Sequence, residues 1–303
     1  RFFDPVRNLI MQYSQLQRAM ASGARIFELL DTAPEMADVH GATKLSRVDG
    51  EVKFNGVSFN YVNGIPVLAD VSVCASPGET IALLGPTGAG KTTFVSLLAR
   101  FYDVNEGSIT VDGYDVRRVT RRSLAEQMAM VLQDPFLFSD TIANNIRYGM
   151  LDANEQEIVE AARVVGADDF IMRLEHGYHT QVRERGINLS MGQRQLISLA
   201  RAVLADPRIL ILDEATANID TQTEVIIQKA LKTLLGGRTS FVIAHRLSTI
   251  RDASRLIVFD KGRIVEEGNH QELLELGGLY TRLYAMTYRK EKPGAFGGFS
   301  PGS

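Results

Sequence analysis

The sequence predicts an α/β fold built on a parallel sheet covered on both faces. Two observations carry this prediction. Short apolar runs alternate with helical stretches through the second half of the chain, the pattern of strand–helix–strand units. One further run, Thr80–Leu84, ends in a glycine-rich loop that opens a helix. Composition agrees: 303 residues, 45% apolar and 23% charged, suit a folded chain with room for two domains. A net charge of -3 supplies no general basic field for nucleic acid or an anionic membrane. The single cysteine, Cys74, excludes an internal disulfide framework and a cysteine-cluster zinc site, and is expected in the core.

In chain order, apolar side chains recur at three- and four-residue steps over 6–30 (Val6, Leu9, Ile10, Tyr13, Leu16, Met20, Ala24, Phe27, Leu30), which makes one long helix. Asp4-Pro5 suits its start, and Asp31, Thr32 and Pro34 its end. Residues 31–49 carry no strong period and read as a linker. From Gly50 the pattern changes to strands at 51–54, 57–61 and 67–75, with Asn55-Gly56 and Asn63-Gly64 as turns. A helix follows the glycine-rich loop, from Lys91 to about Phe101. Asp112-Gly113 marks a hairpin within 108–116. Residues 140–205 read as mainly helical, most clearly at 155–165, 170–174 and 193–204. Strands at 209–212, 239–244, 255–259 and 263–266 then alternate with helices at 221–235 and 270–286. The tail, 289–303, is rich in Gly, Pro and Ser and is expected to be disordered. No apolar run approaches the roughly 20 residues that span a bilayer. The chain opens on Arg1-Phe2-Phe3 without an initiator Met, as a piece of a longer protein would.

Gly85-Pro86-Thr87-Gly88-Ala89-Gly90-Lys91-Thr92 fits G-x-x-x-x-G-K-[ST] in full, between a predicted strand and a predicted helix. Glycines let the backbone wrap closely, so that its N–H groups face phosphate oxygens. Lys91 then reaches the β- and γ-phosphates, Thr92 offers its hydroxyl to Mg²⁺, and Thr93 adds a phosphate contact. Ile209-Leu210-Ile211-Leu212-Asp213-Glu214 is an apolar strand ending in two carboxylates. Asp213 suits the Mg²⁺ shell. Glu214, one residue on, points elsewhere and suits a general base for an attacking water. The two motifs together predict a P-loop NTPase using ATP and Mg²⁺.

Further residues resemble the ATP-binding cassette (ABC) family. Leu189-Ser190-Met191-Gly192-Gln193 resembles its Leu-Ser-Gly-Gly-Gln signature. Gln133, after a strand at 130–132, matches the Q-loop, Ala217-Asn218-Ile219-Asp220 the D-loop, and His245 the switch histidine. Tyr61 matches the aromatic that stacks on adenine, and Glu184-Arg185-Gly186 resembles the exporter-type segment before the signature. Order and spacing cover about residues 50–288. The resemblance implies a RecA-like core, an antiparallel β subdomain that includes Tyr61, and a helical subdomain at about 134–200. It implies a head-to-tail dimer, each ATP lying between one chain's phosphate loop and the other's signature helix. It also implies roles: Ser190, Met191, Gly192 and Gln193 act in trans on the γ-phosphate, and Gln133 completes the metal shell. His245 helps position the water, and Asp220 links the two sites.

Phe3, Pro5 and Arg25-Ile26-Phe27-Glu28-Leu29-Leu30-Asp31 resemble the cytoplasmic end of the last transmembrane helix in ABC exporters. That implies a transmembrane domain in the same polypeptide, a second ABC subunit, no nucleic-acid partner, and a place on the cytoplasmic side of the cell's inner membrane. The alternative is a soluble ABC ATPase acting on nucleic acid; paired cassettes, coiled-coil inserts and basic linkers, its usual marks, do not occur here. Met191 departs from the signature. The change keeps the backbone N–H, so its cost comes from bulk or from a lost positive φ. An altered signature beside an intact Glu214 and His245 fits the catalytically intact half of a heterodimer; a homodimer that tolerates Met191 is the other reading. His40, His176, His179 and His270 show no metal spacing beyond His176-x-x-His179, read as surface. Arg117, Arg118, Arg121 and Arg122 read as a solvated face.

Overall fold

The computed structural model describes residues 3–33, 36–61, 64–213, 219–244 and 246–288. The chain divides into two compact units, residues 1–37 and 38–303. The first is helix α1 (Phe3–Asp31), none of whose residues is buried. Leu9, Tyr13, Leu16, Met20 and Phe27 are exposed along it. Among the described residues no helix is long and apolar enough to cross a membrane.

The second unit opens with β1 (Val52–Phe59), β2 (Leu68–Ala75), β3 (Thr80–Leu84) and α2 (Lys91–Leu98). Then come β4 (Glu106–Val111), β5 (Tyr114–Asp115), α3 (Arg121–Ala125) and β6 (Met128–Val131). A helical stretch holds α4 (Ile142–Arg147), α5 (Glu155–Val164), α6 (Asp168–Ile171) and α7 (Met191–Ala205). It ends with β7 (Ile209–Asp213), α8 (Thr221–Leu235), β8 (Thr239–Ile243), α9 (Leu247–Asp252), β9 (Arg255–Asp260), β10 (Arg263–Gly268), α10 (His270–Leu276) and α11 (Leu279–Tyr288).

Two sheets result. The larger has the order β10-β9-β3-β8-β7-β6. Its pairs are parallel except the β9–β10 hairpin. β8 is buried at all five positions, and β3 and β7 at four of five, as continuous apolar runs covered on both faces must be. The smaller sheet is antiparallel, ordered β2-β1-β4-β5. One core fills the space around α2 between the two sheets, where Phe94 stacks on Phe54 at 4.0 Å and meets Phe241 and Phe259 at 5.7 and 5.6 Å. A second core joins α4, α5, α7 and α8 to residues of β6, β7 and β8, and a third packs α9, α10 and α11 near β3 and β9.

Local chemistry differs from expectation at several points. Asn55-Gly56 is not a turn: β1 runs through it as a bulge, with Gly56 at φ 56 and a register shift between Phe54 and Val57. A bulge uses the same left-handed glycine that a turn does. Cys74 is exposed rather than in the core, because alternation along β2 turns Val73 and Ala75 inward and Cys74 outward. Helix α2 stops at Leu98, since Arg100 adopts φ 53 while the amides of Arg100 and Phe101 return to the carbonyls of Leu97 and Ser96. The Arg100 guanidinium is 1% exposed and donates to the carbonyls of Val119 and Arg117 and to Asp103. Part of the expected linker packs on the second unit: Leu45 and Val48 are buried, and their amides donate to Ser123 Oγ and Gln127 Oε1. Asp112 and Gly113 do form the hairpin turn, at φ 46 and 82. His176 and His179 are exposed. The tail 289–303 lies outside the described residues.

Truncating Phe94 to Ala empties the centre of the first core. Urea unfolding should register a loss of about 3–5 kcal/mol, and Phe94→Leu a smaller one.

Candidate active site

The phosphate-loop sequence sits where the register delivers it. β3 lies between β8 and β9, and Gly85 follows its last residue. Gly85 has φ 140, and a Cβ there would run into the carbonyl oxygen of Phe259. Gly90 caps α2 at φ 105, and its Cβ would lie 2.6 Å from Leu68 Cδ2. No L side chain fits either position. The loop is further tied down by Ala89 N–H donating to Pro86 and by Gly262 N–H donating to the Ala89 carbonyl.

Lys91 and Thr92 open α2, whose first amides have no intrahelical acceptor, so the dipole and N–H groups there favour an anion. Thr87, Gly88 and Thr92 are exposed. Lys91 Nζ donates to the carbonyls of Gly85 and Pro86 at 2.7 and 2.9 Å, filling the loop with its own charge. Burial holds the ammonium below the ordinary lysine value of 10.5, against the opposing pull of Asp213. Asp213 ends β7 with Ile243 of β8 beside it in register, and Leu83 of β3 beside Ile243. Tyr61 reaches the same corner: its hydroxyl lies 3.0 Å from Thr93 Oγ1, and its ring meets Phe59 and Tyr102 edge-on at 4.9 and 5.0 Å. Lys91, Thr92, Thr93, Tyr61 and Asp213 therefore converge. Gln133 is exposed two residues beyond β6. Glu214 and His245, with Ala217 and Asn218 of the D-loop stretch, lie outside the described residues.

Residues 189–193 form a second helix N-terminus. Ser190 caps α7, accepting from Gln193 N–H at 3.2 Å, while Gln193 Oε1 accepts from Ser190 N–H at 2.9 Å. This reciprocal box leaves other first-turn amides open to an anion. Gly192 is buried, and a Cβ on it would strike Thr223 in the first turn of α8. Asp220 caps α8 by accepting from Thr223 N–H, which holds its carboxyl below the usual carboxylate range. Among the described residues, no hydrogen bond of 189–194 reaches 85–93. A cleft of about 770 Å³ runs along α8 with Asp213 in its lining, but no residue of 85–93 lines it. The chain thus carries two separate anion-type helix termini, both open to solvent.

Comparison with known proteins decides the family. The ABC transporter family matches residues 68–217. The uncharacterized ABC transporter ATP-binding protein YknV of Bacillus subtilis is 52% identical over 287 residues, covering 95% of this chain and 48% of that protein. The ATP-dependent lipid A-core flippase of Desulfotalea psychrophila is 50% identical over 284 residues, 94% of this chain and 50% of that protein. The fatty acid ABC transporter ATP-binding/permease protein of Mycobacterium tuberculosis is 49% identical over 287 residues, 95% of this chain and 45% of that protein. A solved structure of a bacterial Atm1-family ABC exporter with ATP bound matches with TM-score 0.83 and 41% identity, covering 97% of this chain and 51% of that one. The chain belongs to the ABC transporter family. It spans about half the length of the relatives it matches.

As an ABC chain it departs from the family pattern at Met191, and the structure narrows what the departure does. Met191 is the first residue of α7 and is not among the residues with positive φ. A lost left-handed conformation is therefore not the cost; only the side chain differs. Two features escaped sequence reasoning. Tyr102 edges Tyr61, and the signal for it is an aromatic just past the end of the phosphate-loop helix. Arg194 touches both the signature and Asp134, which follows Gln133; nothing in its spacing reveals that.

Lys91 supplies a pH prediction. Its folded-state pKa is lowered, and bound phosphate would raise it. ATP affinity should therefore be full at neutral pH and fall as pH rises toward 10.5. Calorimetry in buffers of different ionisation enthalpy should register proton uptake on binding in that alkaline range.

Proposed function

We infer that the chain is the ATP-binding and ATP-hydrolysing motor half of an ABC exporter, working on the cytoplasmic side of the cell membrane. The observation that carries this is the pair of separate helix termini. One, at Lys91, has an aromatic neighbour, a lysine and a carboxylate; the other, at Ser190, has only its cap and open amides. Neither alone encloses a triphosphate. Two chains arranged head to tail would close each phosphate loop with the other's signature turn, burying two ATP between them.

In that arrangement Tyr61 stacks on adenine, and the amides of 85–93 with Lys91 hold the phosphates. Binding draws Lys91 Nζ off the carbonyls of Gly85 and Pro86 and onto phosphate oxygen, exchanging loop contacts for ligand contacts. Thr92, Asp213 and Gln133 are a small set of hard oxygen donors. That suits Mg²⁺, which keeps several waters and takes the rest of its shell from phosphate. The metal would neutralise charge on the β- and γ-phosphates. Glu214 takes the proton of the attacking water, and His245 orients that water against the γ-phosphate. Ser190 and the first-turn amides of α7 stabilise the charge that develops there, and Asp220 ties one site to the other.

A transmembrane partner would find an apolar surface to dock on. Leu132, next to Gln133 in the sequence, is exposed, as are Phe136, Phe138 and Tyr148, with Phe136 edge-on to Phe138 and Phe138 stacked on Tyr148 at 4.2 Å. An apolar aromatic patch of this kind suits a docked helix. Since a fatty acid transporter and a lipid A-core flippase are among the relatives, lipid-like solutes are the first to try.

Glu214→Gln tests the reading. Steady-state ATP hydrolysis should fall by about 10²–10⁴ with ATP binding retained. Unchanged hydrolysis removes Glu214 as the base. Light scattering of the same variant with Mg²⁺ and ATP should register a dimer. A dimer from this chain alone assigns a homodimer, and one that needs a different ABC chain assigns a heterodimer.

A further inference from the structure

Arg194 stands one residue beyond the signature and makes contacts with three segments. Its Nη1 donates to the carbonyl of Leu189 at 3.2 Å and reaches that of Gly186 at 3.5 Å. Its Nη2 donates to Met191 Sδ at 3.4 Å and lies 4.0 Å from Asp134 Oδ1. The stem lies against Gly186, whose missing Cβ would sit 2.8 Å from Arg194 Cδ. The side chain is only 19% exposed. Among the described residues its buried Nε has no hydrogen-bond partner, and the guanidinium is held through its two Nη groups.

The geometry is that of a clasp. Leu189 and Gly186 are the residues through which the chain enters the α7 cap, and the Leu189 amide already donates to Gly186. A planar guanidinium bridging the carbonyls of Gly186 and Leu189, three residues apart, stiffens that entry. The neighbouring Arg185 is held at φ 53, a left-handed position disfavoured for a side-chain-bearing residue, so this turn needs outside support. Met191 supplies a contact that glycine cannot. Its thioether is a weak acceptor, placed three residues before Arg194 on the same helical face.

We propose that Arg194 is a positioning residue for the signature turn, and that Met191 anchors it and is a working part of that turn rather than a lesion. The proposal deepens the reading of 189–193 as the trans signature. It gives the departure at Met191 a purpose: the thioether holds the guanidinium that holds the loop. Asp134, 82% exposed, adds a weak electrostatic link to the segment after Gln133.

Amide hydrogen exchange in the full 303-residue chain tests the clasp without needing a dimer. The reporters are the amides of Leu189, Ser190, Gln193 and Arg194, each donated within this turn. Arg194→Met should speed their exchange about tenfold and Met191→Ala about threefold, as loss of one or two net hydrogen bonds requires. Alanine avoids the added backbone freedom that glycine would bring. Met191→Leu, which keeps bulk and loses the sulfur acceptor, should follow Met191→Ala. Parent-like exchange in Met191→Ala would overturn the role of Met191, and parent-like exchange in Arg194→Met the whole clasp. Acceleration shared equally by β3 and β8 would mean general destabilisation and overturn it as well. In the Glu214→Gln background, Arg194→Met should also weaken ATP-driven dimerisation about tenfold. If that background never dimerises, the trans-signature reading fails while the exchange result still decides the clasp.

Discussion

Because β3, β8 and β7 run parallel in one register, Leu83, Ile243 and Asp213 end abreast, and the chemistry of the chain begins at that edge. The phosphate loop starts two residues after Leu83. Glu214 comes next after Asp213 in the sequence, and His245 two residues after Ile243. A slip of one residue in any pair would turn alternate side chains to the opposite face. It would also shift one of those segments by more than 3 Å along the sheet. The complete burial of β8 and near-complete burial of β3 and β7 prevents that, so the apolar core sets the geometry of this edge as well as the stability.

Close backbone approach is the second device. Gly85 is pressed against Phe259 and Gly90 against Leu68, so the loop is held by both sheets rather than by its own hydrogen bonds alone. Gly192 works differently. It lets α7 approach α8 until the signature turn meets Thr223, three residues from Asp220. The turn at 190–193 and the Asp220 cap of α8 are thereby packed side by side.

The phosphate-loop motif was more legible than the packing, for a physical reason. Wrapping a phosphate demands glycine at fixed steps from a lysine, and the structure sets Lys91, Thr92 and Thr93 at the start of α2, with the Tyr61 hydroxyl beside Thr93 and the Asp213 charge felt by Lys91. The alternation of strands and helices likewise gave the parallel sheet. Misses arose where one residue type serves two geometries. Gly56 serves a bulge as well as a turn. Residues 38–49 carry too few apolar side chains for a period, yet Leu45 and Val48 are pinned by acceptors on Ser123 and Gln127, nearly 80 residues away. Cys74 was expected inside on residue type, whereas strand alternation faces it outward.

That outward cysteine has a practical consequence. It is the sole thiol in the sequence, exposed on β2 of the antiparallel sheet, opposite Lys53. A spin label or fluorophore attached there would give every molecule one reporter at one address, with no background cysteines to mutate away. Two copies coming together would then present a single intermolecular distance, readable by dipolar spectroscopy or energy transfer as nucleotide is bound and spent.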